Sequence, residues 1–245
     1  MNKEIPAFLL AGGRQSGSED MLRLMTLALA QAAPLGTQGH PQETKASARD
    51  RSKPQIAYIG AANGDSLVFF TWMKALLLKA GAGKIRFIRL AKEKIDLRKT
   101  KESLSSSEVI FLAGGEVEDG VRWLEKHGLT GYLKELHSAG KLFVGVSAGT
   151  IMMGAYWARG ENLDDPASSE LFTCLGVIPV VFDVHAEGED WTELKTVLTL
   201  MGDGAIGYGV PRGGMISADS GGRLTNIEQA YLTFVNDAGR IVLLP

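Results

Sequence analysis

Apolar runs and amphipathic stretches alternate along the first two thirds of the chain. Pro6 to Ala11 reads as a first strand closed by Gly12-Gly13, and Ser18 to Ala32 as the helix that follows. Ser18 is a candidate N-cap, with Glu19 and Asp20 in the first turn where negative charge complements the helix dipole. Gln55 to Gly60 predicts a second strand, Ser66 to Ala80 its helix and Lys84 to Leu90 a third strand. Val109 to Ala113 predicts a fourth, closed by Gly114-Gly115. Two helices, about Val117 to Lys126 and Leu129 to Ala139, lead to a fifth strand, Lys141 to Val146. That strand runs straight into Ser147 and a helix expected to continue to about Trp157.

Strand and helix in this alternation predict a parallel sheet with helices on both faces, whose site lies at the carboxyl ends of the strands. Gly12-Gly13, Gly114-Gly115 and Gly145 to Gly149 all fall at that edge. Beyond them the pattern loosens. Val177 to Val184 reads as a strand and Asp190 to Leu200 as a helix. Ala205 to Tyr208, Gly214 to Ala218 and Ile241 to Leu244 read as strands, the last of them candidates for antiparallel pairing at one end of the sheet. Residues 1–245 are read as a single α/β domain. Its one irregular stretch is about 34–54, polar and without periodicity, which reads as a surface insertion, with a lid over the site as the alternative.

Composition narrows the function classes. Lys plus Arg (26) nearly balances Asp plus Glu (28), so no global field argues for nucleic acid or an anionic membrane as partner. The single Cys174, in an apolar setting, excludes an intrachain disulfide and a multi-cysteine metal site and reads as a buried filler. No His/Asp/Glu cluster has ligand spacing, so neither a metal nor another cofactor is expected. No stretch approaches a membrane span, and the N-terminal apolar run is too short for a secretion signal, which makes the cytoplasm the expected location.

The chemistry concentrates at Gly145-Val146-Ser147-Ala148-Gly149. Gly-x-Ser-x-Gly between a strand and a helix is the pattern of a nucleophile elbow: the serine sits on a strained turn, so its neighbours must be small, and its oxygen projects above the sheet edge. The alternative is a plain Gly-Ser turn. Gly114-Gly115 ends a neighbouring strand and offers a backbone N–H with no Cβ in the way, so the N–H groups of Gly115 and Ala148 are candidate oxyanion donors. Of the four histidines, His40 lies in the polar insertion, and His127 and His137 read as solvated beside charged helix positions. His185 ends an apolar run downstream of Ser147 and is the candidate base.

Together, Phe-Leu-Ala-Gly-Gly (111–115), Gly-Val-Ser-Ala-Gly (145–149), and Gly176-Val177-Ile178 followed by Asp183-Val184-His185 resemble the serine peptidase family of dipeptidase E and cyanophycinase. That family is related to the class I glutamine amidotransferase fold, with Ser in place of Cys, and the likeness spans roughly residues 5 to 218. The resemblance implies a three-layer α/β/α, flavodoxin-like fold with a mostly parallel sheet. It implies Ser147 as nucleophile, His185 as base, Gly115 and Ala148 as oxyanion donors, and Asp183 in the substrate pocket; Gly114, Glu116 and Glu187 are this chain's own candidate substrate-binding residues. The implied reaction is metal-free hydrolysis of a small peptide, amide or isopeptide through an acyl-enzyme, with a homodimer a plausible state.

Three departures qualify it. Family members tend to carry a Glu that orients the histidine in the stretch that here reads Ile206 to Arg212, where no acid occurs and Val210 or Arg212 takes the position. Asp183 is one substitute, and Glu187, Glu189, Asp190, Asp164 and Asp165 are others. Glu116 stands where Asn or Asp is usual after the Gly pair, and the arginines expected after the histidine are replaced by Ala186-Glu187-Gly188-Glu189-Asp190-Trp191. Specificity for an acidic residue therefore does not transfer, and an anionic pocket formed by Glu116, Asp183, Glu187 and Glu189 would favour a cationic substrate. The competing reading is a catalytically impaired member that binds a small molecule or a protein. A third, nucleotide binding at Gly12 to Gly17, lacks both P-loop and dinucleotide-site spacing.

Overall fold

The computed structural model describes residues 7–12, 17–32, 53–163 and 165–245. The glycine-rich turn after the first strand, most of the polar insertion with His40, and Asp164 lie outside the described residues.

The elements in chain order are β1 (Ala7–Leu10), α1 (Ser18–Leu29), β2 (Ile56–Ile59), α2 (Leu67–Lys79), β3 (Ile85–Ile88), α3 (Leu97–Ser105), β4 (Val109–Leu112), α4 (Val117–Lys126), α5 (Thr130–Ser138), β5 (Leu142–Val146) and α6 (Ala148–Met153). There follow β6 (Tyr156–Gly160), β7 (Ser169–Thr173), β8 (Val181–Val184), α7 (Thr192–Met201), β9 (Ile206–Val210), β10 (Met215–Ala218), β11 (Leu224–Glu228), β12 (Leu232–Asp237) and β13 (Arg240–Leu243).

Seven strands form the central sheet in the order β11-β10-β1-β5-β4-β2-β3. The five from β1 to β3 are parallel, and β10 and β11 extend the sheet antiparallel beyond β1. Because side chains alternate along a strand, each buried strand feeds two cores. Phe8, Leu10, Tyr58, Phe111 and Val144 pack on one face with Met21 and Leu24 of α1 and Met73 and Leu77 of α2. Leu9, Ile59, Leu112 and Phe143 face the other way, against Val121 and Leu124 of α4 and Leu133 of α5. Burying each such large side chain is worth roughly 2 kcal/mol, which is why both faces are covered. This is the three-layer α/β/α arrangement expected from the sequence.

A second sheet, β13-β12-β9-β8, and a two-stranded antiparallel sheet, β6-β7, complete the described part. Here the structure corrects the sequence reading. The helix after Ser147 ends at Met153 rather than near Trp157, and Trp157 lies in β6, paired with Phe172. Only Val181–Val184 of the expected strand 177–184 is extended in a sheet. Of the late strands, β10 does join the end of the central sheet, but β9 and β13 belong to the second sheet, with β9 running parallel to β8. Neither His127 nor His137 is freely solvated: the first is half-buried and the second buried. His137 is only 4% exposed and stands edge-on to the Phe143 ring, while His127 stacks on Trp123 with its Nε2 2.9 Å from the Leu90 carbonyl oxygen. Cys174 is buried as expected, and burial pushes its thiol up to about 12.

Candidate active site

The turn after β5 is built by its glycines. A Cβ on Gly149 would stand 2.1 Å from the Leu112 carbonyl oxygen, and one on Gly145 would stand 2.7 Å from the Gly149 oxygen. Only glycine at both positions lets α6 fold back against the ends of β4 and β5. The turn forces Ser147 to φ 54° and ψ −125°, a conformation that a residue with a side chain adopts only when its surroundings over-determine it. Three hydrogen bonds do so. The Ser147 N–H donates to the Leu10 oxygen at 3.1 Å, the Thr150 hydroxyl to the same oxygen at 3.3 Å, and the Thr150 N–H to the Ser147 oxygen at 2.7 Å.

Beside it, the turn after β4 is held by the 3-10 turn Ala61–Asn63. The Glu116 N–H donates to the Ala62 oxygen at 2.7 Å, and the Asn63 amide donates to the Gly114 oxygen at 2.8 Å. Gly115 has φ 147°, and a Cβ there would lie 2.1 Å from the Ala62 oxygen. The N–H groups of Gly115 and Ala148 have no protein acceptor among the described residues and remain available.

His185 arrives from the other sheet. It follows β8, its N–H donates to the Val210 oxygen at 2.9 Å, and a left-handed backbone, φ 49°, swings the chain out of the strand. Its Nε2 lies 2.8 Å from Ser147 Oγ. With Nε2 accepting from the hydroxyl, the neutral ring carries its proton on Nδ1. No carboxylate among the described residues bonds to that ring.

Asp183, read as a possible third member, does not reach it. Its Oδ1 accepts from the Val184 N–H at 2.7 Å, and its buried Oδ2 has no hydrogen-bond partner among the described residues. Burial, reinforced by the negative charges of Glu193 and Glu189, pushes its carboxyl up to about 7. Glu187 is exposed and its Oε1 accepts from the Arg212 N–H at 2.5 Å. Asp190 pairs with Lys195 at 2.7 Å. Glu116 is exposed at the start of α4, beside Gly115.

Sequence reasoning missed Asn63, Trp157 and Glu193. Trp157 Nε1 donates to Glu193 Oε2 at 2.7 Å. Burial raises the Glu193 carboxyl above the usual range, and the charges of Glu189 and Glu116 push the same way. Glu193 is thus within electrostatic reach of both the buried Asp183 and the exposed Glu116. It also lines a cleft of about 690 Å³ with Trp157, Glu118, Arg159, Glu161 and Glu170. Arg159 is already held there by Glu118 and Glu170, at 2.8 and 2.6 Å. The sequence signal available for Glu193 and Trp157 was only proximity to His185 and Ser147, since their pairing depends on how β6 meets α7. Among the described residues no His/Cys/Asp/Glu group is arranged to hold a metal ion, and no helix is long and apolar enough to cross a membrane.

The described fold is thus a three-layer α/β/α sheet that sets a serine on a strained strand-to-helix turn against a histidine. The chain is a member of peptidase family S51, whose sequence model matches residues 37–225. Two of the solved structures that share its fold illustrate the likeness. A peptidase from an acI-B1 Actinobacterium aligns with TM-score 0.65 at 17% identity, over 98% of this chain and 94% of the other. A putative peptidase E protein from Listeria monocytogenes EGD-e aligns with TM-score 0.60 at 15% identity, over 93% of this chain and 100% of the other. At these identities the likeness is one of fold. No curated protein sequence matches the chain.

Proposed function

We propose that this peptidase-family protein is a serine hydrolase that cleaves small peptides or related amides through an acyl-enzyme on Ser147. The observation that carries the reading is the 2.8 Å contact between Ser147 Oγ and His185 Nε2. His185 takes the hydroxyl proton as Oγ attacks the substrate carbonyl carbon. The N–H groups of Gly115 and Ala148 receive the oxyanion, and the imidazolium then returns the proton to the leaving amine. Water, activated by the same imidazole, releases the acid and restores Ser147. A fluorophosphonate probe tests this: it labels the wild type, fails on Ser147→Ala and labels His185→Ala slowly. Absence of labelling in the wild type overturns the proposal.

The substrate class follows from charge. Glu116, Glu189 and Glu193, with the buried Asp183, form a run of mutually repelling carboxylates, and in the cleft that Glu193 lines the only arginine, Arg159, is already paired with Glu118 and Glu170. A substrate bearing an ammonium or guanidinium group fits, and one bearing a further carboxylate does not. In a kinetic panel of neutral, acidic and basic dipeptides, the basic ones have the highest kcat/KM, and a preference for acidic ones removes the idea.

One observation favours a second reading. Among the described residues no carboxylate bonds to the His185 ring, as expected of a catalytically impaired member that binds a ligand without turnover. Retention of a basic dipeptide by a protein that neither labels nor hydrolyses supports that reading instead.

A further inference from the structure

We infer that Glu187 is the positioning residue for His185, supplying from the loop after β8 the negative charge that the end of β9 lacks. This rests on the serine-hydrolase reading above. Val184 of β8 pairs in parallel with Val210 of β9, and the His185 N–H closes that ladder on the Val210 oxygen at 2.9 Å. An acid at Val210 or Arg212 would stand beside the imidazole, but Val210 is 1% exposed and packed in the core, and Arg212 offers no acceptor side chain.

The chain leaves β8 at His185, passes the buried Ala186 and makes a 3-10 turn over Glu187–Glu189. That turn returns the Glu187 side chain to the end of β9, where Oε1 takes the Arg212 N–H at 2.5 Å. One carboxylate oxygen is thereby anchored to the strand end that also anchors His185. The other, Oε2, accepts no hydrogen bond from the described residues. Among the described residues, Asp183 is committed to the Val184 N–H and the buried cluster with Glu193, and Asp190 to Lys195, while Glu189 is exposed at the far end of the same turn. Pivoting about the Arg212 bond brings Oε2 toward Nδ1–H, and the imidazolium formed as Ser147 gives up its proton draws it in. The arrangement fixes the tautomer that leaves Nε2 free to accept, which is the task of a triad acid.

The test compares wild type, Glu187→Gln and Glu187→Ala by fluorophosphonate labelling rate and by steady-state hydrolysis of a basic dipeptide. Glu187→Gln keeps a carbonyl oxygen for the Arg212 N–H and loses only the charge. The expected result is a loss of about 10²-fold or more in kcat and labelling rate with KM within about twofold, given that loss of a buried triad acid costs up to about 10⁴. Added formate restores part of the activity of Glu187→Ala and none of that of His185→Ala. Rates for Glu187→Gln within about twofold of wild type overturn the inference. So does a loss in both variants that formate leaves unchanged, which would mark Glu187 as a loop anchor only. A wild type that fails to label instead removes the hydrolase reading itself.

Discussion

Ser147 Oγ and His185 Nε2 meet at 2.8 Å although their strands belong to different sheets, β5 to the seven-stranded sheet and β8 to the four-stranded one. Both residues carry left-handed backbones, φ 54° and 49°, so each is turned out of its own strand toward the other. The contact therefore measures how accurately the two sheets are joined, and small displacements of either turn open it. Substitutions that move a turn without touching a reacting atom should act on rate before they act on fold.

Gly149→Ala makes the sharpest case. The new methyl would stand 2.1 Å from the Leu112 carbonyl oxygen, a backbone atom that cannot swing aside. α6 must shift, and Ser147 at its start shifts with it. Overpacking of this kind costs typically 1–3 kcal/mol of stability. Fluorophosphonate labelling is expected to fall about 10²-fold or more in protein that still melts cooperatively, since a 1 Å misplacement can cost that much. Wild-type labelling in the variant would show that the close packing of α6 is not what aims the serine.

Asn63 acts on the other side of the site. Its amide nitrogen holds the Gly114 oxygen at 2.8 Å and its amide oxygen accepts from the Ser66 N–H at 3.1 Å, so one side chain ties the turn carrying Gly115 to the start of α2. Asn63→Ala frees the Gly115 N–H from its fixed direction. Loss of an aimed oxyanion donor costs about 10²–10³ in rate, and loosening one should cost roughly tenfold in kcat with KM little changed. A rise in KM at constant kcat would place Asn63 in substrate binding instead.

Much of the fold was legible because the five parallel strands are buried on both faces and read as continuous apolar runs, as in Val109–Leu112. The glycines of the turn after β5 stand out in the sequence, and the structure gives their reason: a Cβ on Gly145 would meet Gly149, and one on Gly149 would meet the Leu112 carbonyl of the neighbouring strand. The misses have the opposite character. In α3, Leu104 is the one buried residue, so no apolar period marks it, and β7 and β11 are largely exposed and mixed in polarity. Asp183 shares the His185 strand end, but the packing of α7 on β8 turns its carboxylate into the cluster with Glu193 and Glu189, and nothing local encodes that. The Trp157–Glu193 bond joins residues 36 apart through a hairpin that the sequence reading took for the end of a helix.

Asp183 should make the protein less stable as pH rises. Its carboxyl stands near 7 in the folded chain against 3.8 for the free group, so the folded state holds a proton that the unfolded state has released. Stability contributed by this group is complete below about pH 4, declines through the window from about 4 to 7, and is level above it. Asp183→Asn keeps an oxygen for the Val184 N–H and removes the ionisation. Urea unfolding should find the variant equal to wild type near pH 4 and more stable by an amount of order 1–4 kcal/mol at pH 8. A variant less stable than wild type at pH 8 would show that the ionised carboxylate is satisfied after all.

His137 carries the opposite sign. It is 4% exposed, its Nε2 has no hydrogen-bond partner among the described residues, and burial lowers its pKa below the ordinary 6.5. The folded chain thus keeps the ring neutral where the unfolded chain begins to protonate. Stability is complete above about pH 6.5 and is lost as pH falls, at a rate that approaches about 1.4 kcal/mol per pH unit for one linked proton. His137→Leu removes the titration while keeping an apolar contact with Phe143. The difference in unfolding free energy between variant and wild type should therefore move in the variant's favour from pH 7 to pH 5, whatever its starting value from altered packing. A difference that stays flat across that interval would mean that water reaches the ring when it protonates, and that His137 is not a source of acid sensitivity.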